Sequence, residues 1–406
     1  MEETPEKLRV LILIAGLAIG EQGGGAERFG IELARCLDRR RFEPMICAFW
    51  RRNLPTEAYW ADRLRSEGIE TFFAVTRGAR FTPWSYVEGL WMIAAHLRER
   101  PAHILHSQFQ LGTIAAIVLK RPLGVQAAMR TAHGTVDREW LNTVAGRTCR
   151  LVFTHWLFPM ALTAEVGVSP AIVASMDRRP GARLCRRPMR LIYNGIPTGA
   201  MWRSGSREAA RSALGLGPAD LVIGSVGRLS EQKGYTYLLQ ALPAVQAQLP
   251  ALKVVLIGDG ELRGALEAEA AALGVVPAVA FLGARADADV LYPALDLFVL
   301  PSLWEGLPTV ALESMASGVP VVASAIPGTT ELVVDGRTGW LAQPRDPASL
   351  AQAILRALAD PAGRRDAAQR AAEEVVPRYS MPAIADQYEA LYAHLAVRGP
   401  AGEAIP

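Results

Sequence analysis

The sequence predicts an α/β protein made of two doubly wound parallel-sheet domains. Three observations carry this. Short runs dense in Val, Ile and Leu alternate with helical patterns along most of the chain. The alternation stops near residue 193 and restarts at 221, across a Gly-, Ser- and Arg-rich, apolar-poor joint over 197–217. The length, 406 residues, also exceeds what one compact core ordinarily holds.

The first half opens with a strand over 9–13 and a Gly-rich loop. A helix over 26–37 follows, with Phe29, Leu33 and Leu37 on one face. Strands are expected over 44–49 and 104–107, then a helix over 111–119 and strands over 126–131, 151–154 and 190–193. The second half repeats the plan. A strand over 221–226 leads through the loop 227–234 to a helix over 235–248. A strand over 253–257 leads through the turn 258–260 to a helix ending at 272. Strands over 279–282, 297–300 and 319–323, a helix containing 312–316, and helices over 350–358 and 364–374 complete it. An amphipathic helix over 382–395 closes the chain. Right-handed crossovers put the strands of each half in one parallel sheet. The ends, 1–7 and 399–406, read as loose tails.

Half the residues are hydrophobic and a fifth charged, which excludes a disordered chain. Four cysteines without CxxC or metal-ligand spacing fit a reducing compartment. No apolar run approaches the roughly 18 residues that span a bilayer. The uncharged stretch 10–20 reads as a buried strand, not a signal segment. The expected location is cytoplasmic, with at most peripheral contact at the inner membrane face. The net charge of +3 hides an asymmetry: 27 Lys and Arg face 18 Asp and Glu up to Pro197, and 16 face 22 beyond it. The stretch 147–190 holds eight arginines and two acids. Two readings stand: a basic face for an anionic membrane or acidic acceptor, or a solvated arginine-rich loop.

Open α/β sheets bind ligands beyond the carboxyl ends of their strands, so the loops that follow strands are informative. In Gly227-Arg228-Leu229-Ser230-Glu231-Gln232-Lys233-Gly234, Arg228 offers a planar fork and Lys233 a point charge at the start of a helix. That set suits a diphosphate; a solvated turn is the other reading. Trp304-Glu305-Gly306-Leu307-Pro308 follows another strand, with Pro308 suited to the first helical position and Glu313 eight residues after Glu305. Carboxylates accept hydrogen bonds from sugar and ribose hydroxyls, and the N–H groups of Gly306 to Thr309 face a space where a phosphate or hexose fits. Two surface acids are the plain alternative. Gly23-Gly24-Gly25-Ala26-Glu27 lets a ligand approach the backbone or forms a flexible hairpin. His133 follows a strand and is placed to bond a substrate hydroxyl, and His106 near Gln108 is a second candidate; a lone His is also a common structural residue. Gly258-Asp259-Gly260 reads as a turn without chemistry.

The order of these motifs resembles the GT-B glycosyltransferases, specifically the retaining glycosyltransferase family 4. Gly-Gly-x-Glu after the first strand, Thr131-Ala132-His133-Gly134, Tyr193-Asn194-Gly195-Ile196, the Gly227 loop, Gly258-Asp259-Gly260, Glu305-Gly306-Leu307-Pro308 within Glu-x7-Glu, 317–324 and Asp335-Gly336-x-Thr-Gly339 occur in sequence. The resemblance covers nearly the whole chain. It implies two Rossmann-like domains facing across a cleft: an acceptor domain over 1–197 and a nucleotide-sugar donor domain over 198–380. A helix over 381–398 would pack back on the first. It also implies roles. Arg228 and Lys233 match the positions that hold the donor diphosphate. Glu305 and Gly306, Leu307 and Pro308 match those at the hexose, and Glu313 the ribose acid. Gly23 and Gly24 match the loop that closes on the phosphates, and His133 the cleft histidine near the transferred sugar. The base would lie on the 283–285 backbone.

The chain departs from the pattern in three places. It has His106-Ser107-Gln108 where many relatives have His-x-His, Pro197 where Asp is common, and Gly328-Thr329-Thr330-Glu331 in place of Gly-Gly before the acid.

The activity so implied is hexose transfer from a UDP-sugar, or GDP-mannose, to a glycan or lipid-linked acceptor in cell-surface polysaccharide or glycolipid synthesis. Retention is expected by front-face return of the acceptor. No metal and no other cofactor is expected, with the charge on the departing diphosphate met by Arg228, Lys233 and helix N-termini. Partners are then the nucleotide sugar, the acceptor and an anionic membrane surface, with no nucleic acid. A sugar-nucleotide epimerase of the same fold is the alternative, and a non-catalytic scaffold a third reading. A nicotinamide enzyme is disfavoured because GxGxxG with its downstream acid is missing.

Overall fold

The computed structural model describes residues 7–19, 24–76, 82–134, 148, 151–186, 189–198, 205–285 and 287–397. The chain divides into two compact units, Met1–Gly195 with Met381–Pro406, and Ile196–Ser380.

The first unit is built on β1 (Leu8–Ile14), β2 (Phe42–Trp50), β3 (Glu70–Val75), β4 (Ile104–Ser107), β5 (Ala127–Ala132), β6 (Ala164–Gly167) and β7 (Arg190–Leu191). They form a seven-stranded sheet in the order β3-β2-β1-β4-β5-β6-β7, with every pair parallel. β1 is central, and Val10 to Ile14 are at most 1% exposed, so both of its faces must be apolar. One face packs on the helices Gly25–Cys36 and Met381–Val397. The other packs on Pro83–Glu99, Gln110–Lys120 and the Phe158 region. Met381, Ile384, Tyr388, Leu391, Tyr392 and Leu395 repeat at helical spacing and form the buried stripe of the last helix.

The second unit holds β8 (Val222–Val226), β9 (Lys253–Ile257), β10 (Val279–Phe281), β11 (Leu297–Leu300), β12 (Val321–Ser324) and β13 (Trp340–Ala342). Their order is β10-β9-β8-β11-β12-β13, again all parallel. Strand order reverses between β1 and β4 in one sheet and between β8 and β11 in the other. At such reversals adjacent loops diverge and leave a crevice.

The strand expected over 151–154 is not a strand: 151–161 is helical, with a π-turn at Phe153–Leu157. Phe153, Phe158 and Leu162 turn toward the core at helical spacing, which a four-residue apolar run does not reveal. The strand of this region is β6, whose Glu165 disguised it. That carboxylate is buried between Arg130 at 2.8 Å and Arg179 at 2.7 Å. β3, β13 and the helix Pro55–Ser66 were also unforeseen. Arg179, expected on a basic face, is 3% exposed and belongs to this internal triad.

Candidate functional site

The second unit gathers charged side chains at its strand-order reversal. After β8 the chain makes one tight turn, Glu231–Lys233, and enters the helix Tyr235–Gln248 through Gly234 at φ +64°. Any side chain at Gly234 would collide with the Pro301 carbonyl, so glycine lets the β8 loop lie directly on the β11 loop. Leu303 N–H donates to the Gln232 carbonyl at 2.8 Å, and Gln232 Nε2 donates to the Trp304 carbonyl at 3.1 Å. The two stitched loops bring Lys233 Nζ to 2.6 Å from Glu305 Oε1. Ser302 Oγ donates to the same oxygen at 2.8 Å, and Gln232 Nε2 lies 3.4 Å from the other. The two charged side chains are only 16% and 7% exposed.

Gly306 and Leu307 continue the loop to Pro308. Pro308 is the cap rather than the first helical residue: the helix is Thr309–Ala316, and the Pro308 carbonyl accepts from Ala311 N–H at 3.0 Å. The placement follows from ψ 93°, outside the helical range. The first N–H groups of that helix, at Thr309 and Val310, have no carbonyl one turn back within the helix. Glu313 lies on this helix, 6% exposed, and Tyr292 Oη donates to its Oε2 at 2.8 Å. Arg228 stands apart from the buried pair: it is 68% exposed and reaches Glu261 at 3.4 Å. At that exposure the contact contributes little. Gly258, read as a plain turn, has a packing role. Any side chain there would collide with the Gly227 carbonyl, and its N–H donates to Gly283 at 2.8 Å, tying the β8, β9 and β10 loops together.

In the first unit, Gly24 caps the helix Gly25–Cys36 and donates its N–H to Glu27 Oε2 at 2.9 Å. Gly23 lies outside the described residues. His133 Nε2 is 2.8 Å from Gln108 Oε1, and Gln108 Nε2 is 3.1 Å from His106 Nε2. His106 also meets Thr131 Oγ1 at 2.8 Å and Tyr392 Oη at 2.6 Å, and Thr131 meets Tyr388 Oη at 2.8 Å. Gln108 thus links the two histidine candidates, and the last helix closes the network with two tyrosines. With the Gln108 oxygen accepting, His133 carries its proton on Nε2.

Burial pushes the His106 pKa down to about 3, aided by the nearby His133. Burial also pushes His133 to about 4, which the Asn194 amide only partly offsets. Both folded values lie below the unfolded value of about 6.5, so between those limits the unfolded chain binds more protons. Stability should therefore fall as pH drops below about 6.5, by about 1.4 kcal/mol per pH unit for each group. Urea midpoints at mildly acidic and mildly alkaline pH test this. A His106→Gln chain should lose roughly half the difference; equal midpoints at both pH values would refute the shifts.

Ser302, Gln232, Tyr292, Gln108 and Thr131 were not singled out as site residues from sequence. Ser302 stands three residues before Glu305, a spacing that could have flagged it; Tyr292 is 21 residues from Glu313 and left no such trace. Among the described residues, no group of three or more His, Cys, Asp or Glu side chains is placed to hold a metal ion.

Comparison with known proteins matches 206–374 to the model of glycosyl transferases group 1 and 23–200 to that of glycosyltransferase family 4. The chain is 33% identical over 348 residues to a glycogen synthase of Mycobacterium tuberculosis, covering 80% of each protein. It is 38% identical over 209 residues to the lipopolysaccharide core biosynthesis glycosyltransferase LpsE of Rhizobium meliloti, 51% of this chain. The chain spans little more than half the length of several relatives it matches, 58% of LpsE among them. Its fold is similar to that of HepE from Anabaena, solved with UDP and glucose, at TM-score 0.74 and 22% identity over 95% of this chain and 100% of that one.

Proposed function

The chain belongs to the group 1 glycosyl transferases of glycosyltransferase family 4, and on that premise we propose that it moves a hexose from a nucleotide-diphosphate sugar to a glycan or lipid-linked acceptor. UDP-sugar is the first candidate donor and GDP-mannose the second. The product is a cell-surface polysaccharide or glycolipid, and contact with an anionic membrane is part of the same reading.

One observation carries it: Lys233 and Glu305 meet at 2.6 Å beside the β8/β11 reversal. An ion pair this buried stabilises a fold little, because desolvation offsets the attraction. Its chemistry fits a donor sugar. Lys233 meets the negative charge that develops on the departing diphosphate, together with the N-terminus of Tyr235–Gln248 and, on closure of the loop, Arg228. Glu305 accepts from hexose hydroxyls while the N–H groups after Leu307 face the sugar. Glu313, steadied by Tyr292, takes the ribose. Family membership implies retention, and because Glu305 is held by Lys233 and Ser302 and is poorly disposed to attack carbon, front-face return of the acceptor is the favoured route to it. In this mechanism no metal ion is needed at the diphosphate.

Thermal-shift titration with UDP, GDP, ADP and UDP-glucose tests the assignment. The UDP ligands lead because HepE was solved with UDP and with UDP-glucose. A ligand at a hundred times its Kd should add about 2.7 kcal/mol. The proposal fails if no nucleoside diphosphate protects the protein, or if a chelator abolishes turnover.

A further inference from the structure

The helical segment 151–161 leaves Leu151, Val152, Trp156 and Met160 between 46% and 53% exposed, and the helix Pro180–Cys185 leaves Leu184 67% exposed. The two elements touch. A Cβ on Gly181 would lie 2.6 Å from the His155 carbonyl and 3.1 Å from Trp156 Cα, and Arg179 donates to the Thr154 carbonyl at 2.9 Å. The exposed side chains therefore lie on adjoining elements, as a patch and not as isolated residues.

The patch is flanked by charge that, among the described residues, no acid neutralises. Arg178, Arg183 and Arg186 are exposed and, among the described residues, form no ion pair. The two acids of 147–190 are already engaged. Glu165 is buried between Arg130 and Arg179, and Asp177 accepts from Met189 N–H at 2.9 Å. Apolar side chains beside unpaired arginines match one occupant better than others. A second copy across a two-fold axis would set arginines against arginines. A lipid surface with anionic headgroups receives the guanidinium groups, while indole, Leu and Met side chains enter the acyl boundary. A second exposed stripe, Trp84, Val87 and Trp91 on Pro83–Glu99, has Glu88 within it and suits such a surface less well.

We propose that the face formed by 151–161 and 178–186 docks the protein on an anionic bilayer. This deepens the membrane contact suggested above and rests on that reading only for its use. The docking itself requires neither donor nor acceptor, so it fails or stands separately from the nucleotide assignment.

Co-sedimentation of the full chain with vesicles of phosphatidylcholine, with and without phosphatidylglycerol, tests it. Wild type should bind the anionic vesicles alone and release them at high salt. Arg183→Glu with Arg186→Glu should weaken partition by roughly tenfold or more. Trp156→Ser with Leu184→Ser should weaken it by a similar factor, with near-UV circular dichroism as the fold check. In a second arm, brominated anionic lipid should quench wild type more than Trp156→Phe, which decides the matter should the serine variants fail to fold. No binding at low salt, equal partition of folded variants, or equal quenching would overturn the proposal. So would light scattering that shows a dimer dispersed by Trp156→Ser.

Discussion

Lys233→Ala should reduce turnover by roughly a hundred- to a thousandfold, because in the proposed mechanism it removes the charge that meets the leaving diphosphate in a water-poor site. Glu305→Gln should show a comparable loss. It keeps an acceptor for Ser302 but forfeits the carboxylate that pairs Lys233 and that is proposed to orient the sugar. Stability and activity can be separated here. Removing Lys233 alone leaves Glu305 largely buried, with Ser302 and Gln232 as its remaining partners, and that should lower the urea midpoint. Replacing both, as Lys233→Met with Glu305→Leu, should recover most of the midpoint and none of the turnover. A double variant that transfers sugar at the wild-type rate would move the chemistry elsewhere.

Glu165→Ala should be the most destabilising single change in the first unit. The carboxylate is 8% exposed and takes bonds from Arg130 Nε and from both Arg179 Nη atoms. Burial pushes its pKa up, but the two guanidinium charges and their hydrogen bonds outweigh that and hold it below the usual value. Removal leaves two buried cations facing each other, a loss of about 3–5 kcal/mol. Melting should fall by on the order of 10 °C. A triple replacement by apolar residues of similar size, at Arg130, Glu165 and Arg179, should recover most of it. A Glu165→Ala chain melting within a degree or two of wild type would mean that water reaches the triad.

Much of the charged cluster at the β8/β11 reversal is legible in the sequence because its signals are local. Lys233 and Glu305 lie in loops that follow apolar strands, with Glu313 on the helix after the second, and those loops do stand at the reversal of strand order. Pro308 was placed one residue too far into the helix, since proline suits both the cap and the first turn. Arg228 read as an equal partner of Lys233, yet it lies at the surface beside Glu261. Its charge is visible in the sequence and its exposure is not. The 151–154 error and the overlooked β6 share one cause. A short apolar run does not distinguish strand from helix, and a buried carboxylate looks like a surface residue until its arginines are located.

By itself the sequence determined the two α/β halves, the parallel arrangement and the loops at which the chemistry is proposed, because apolar periodicity and glycine placement act within a few residues. Only the tertiary structure decided which charges meet. Lys233 and Glu305 are 72 positions apart, and Tyr392 is 286 from His106. Such pairs form because a doubly wound sheet sets distant strand ends side by side, and buried polar groups then keep the partners that the packing leaves within reach.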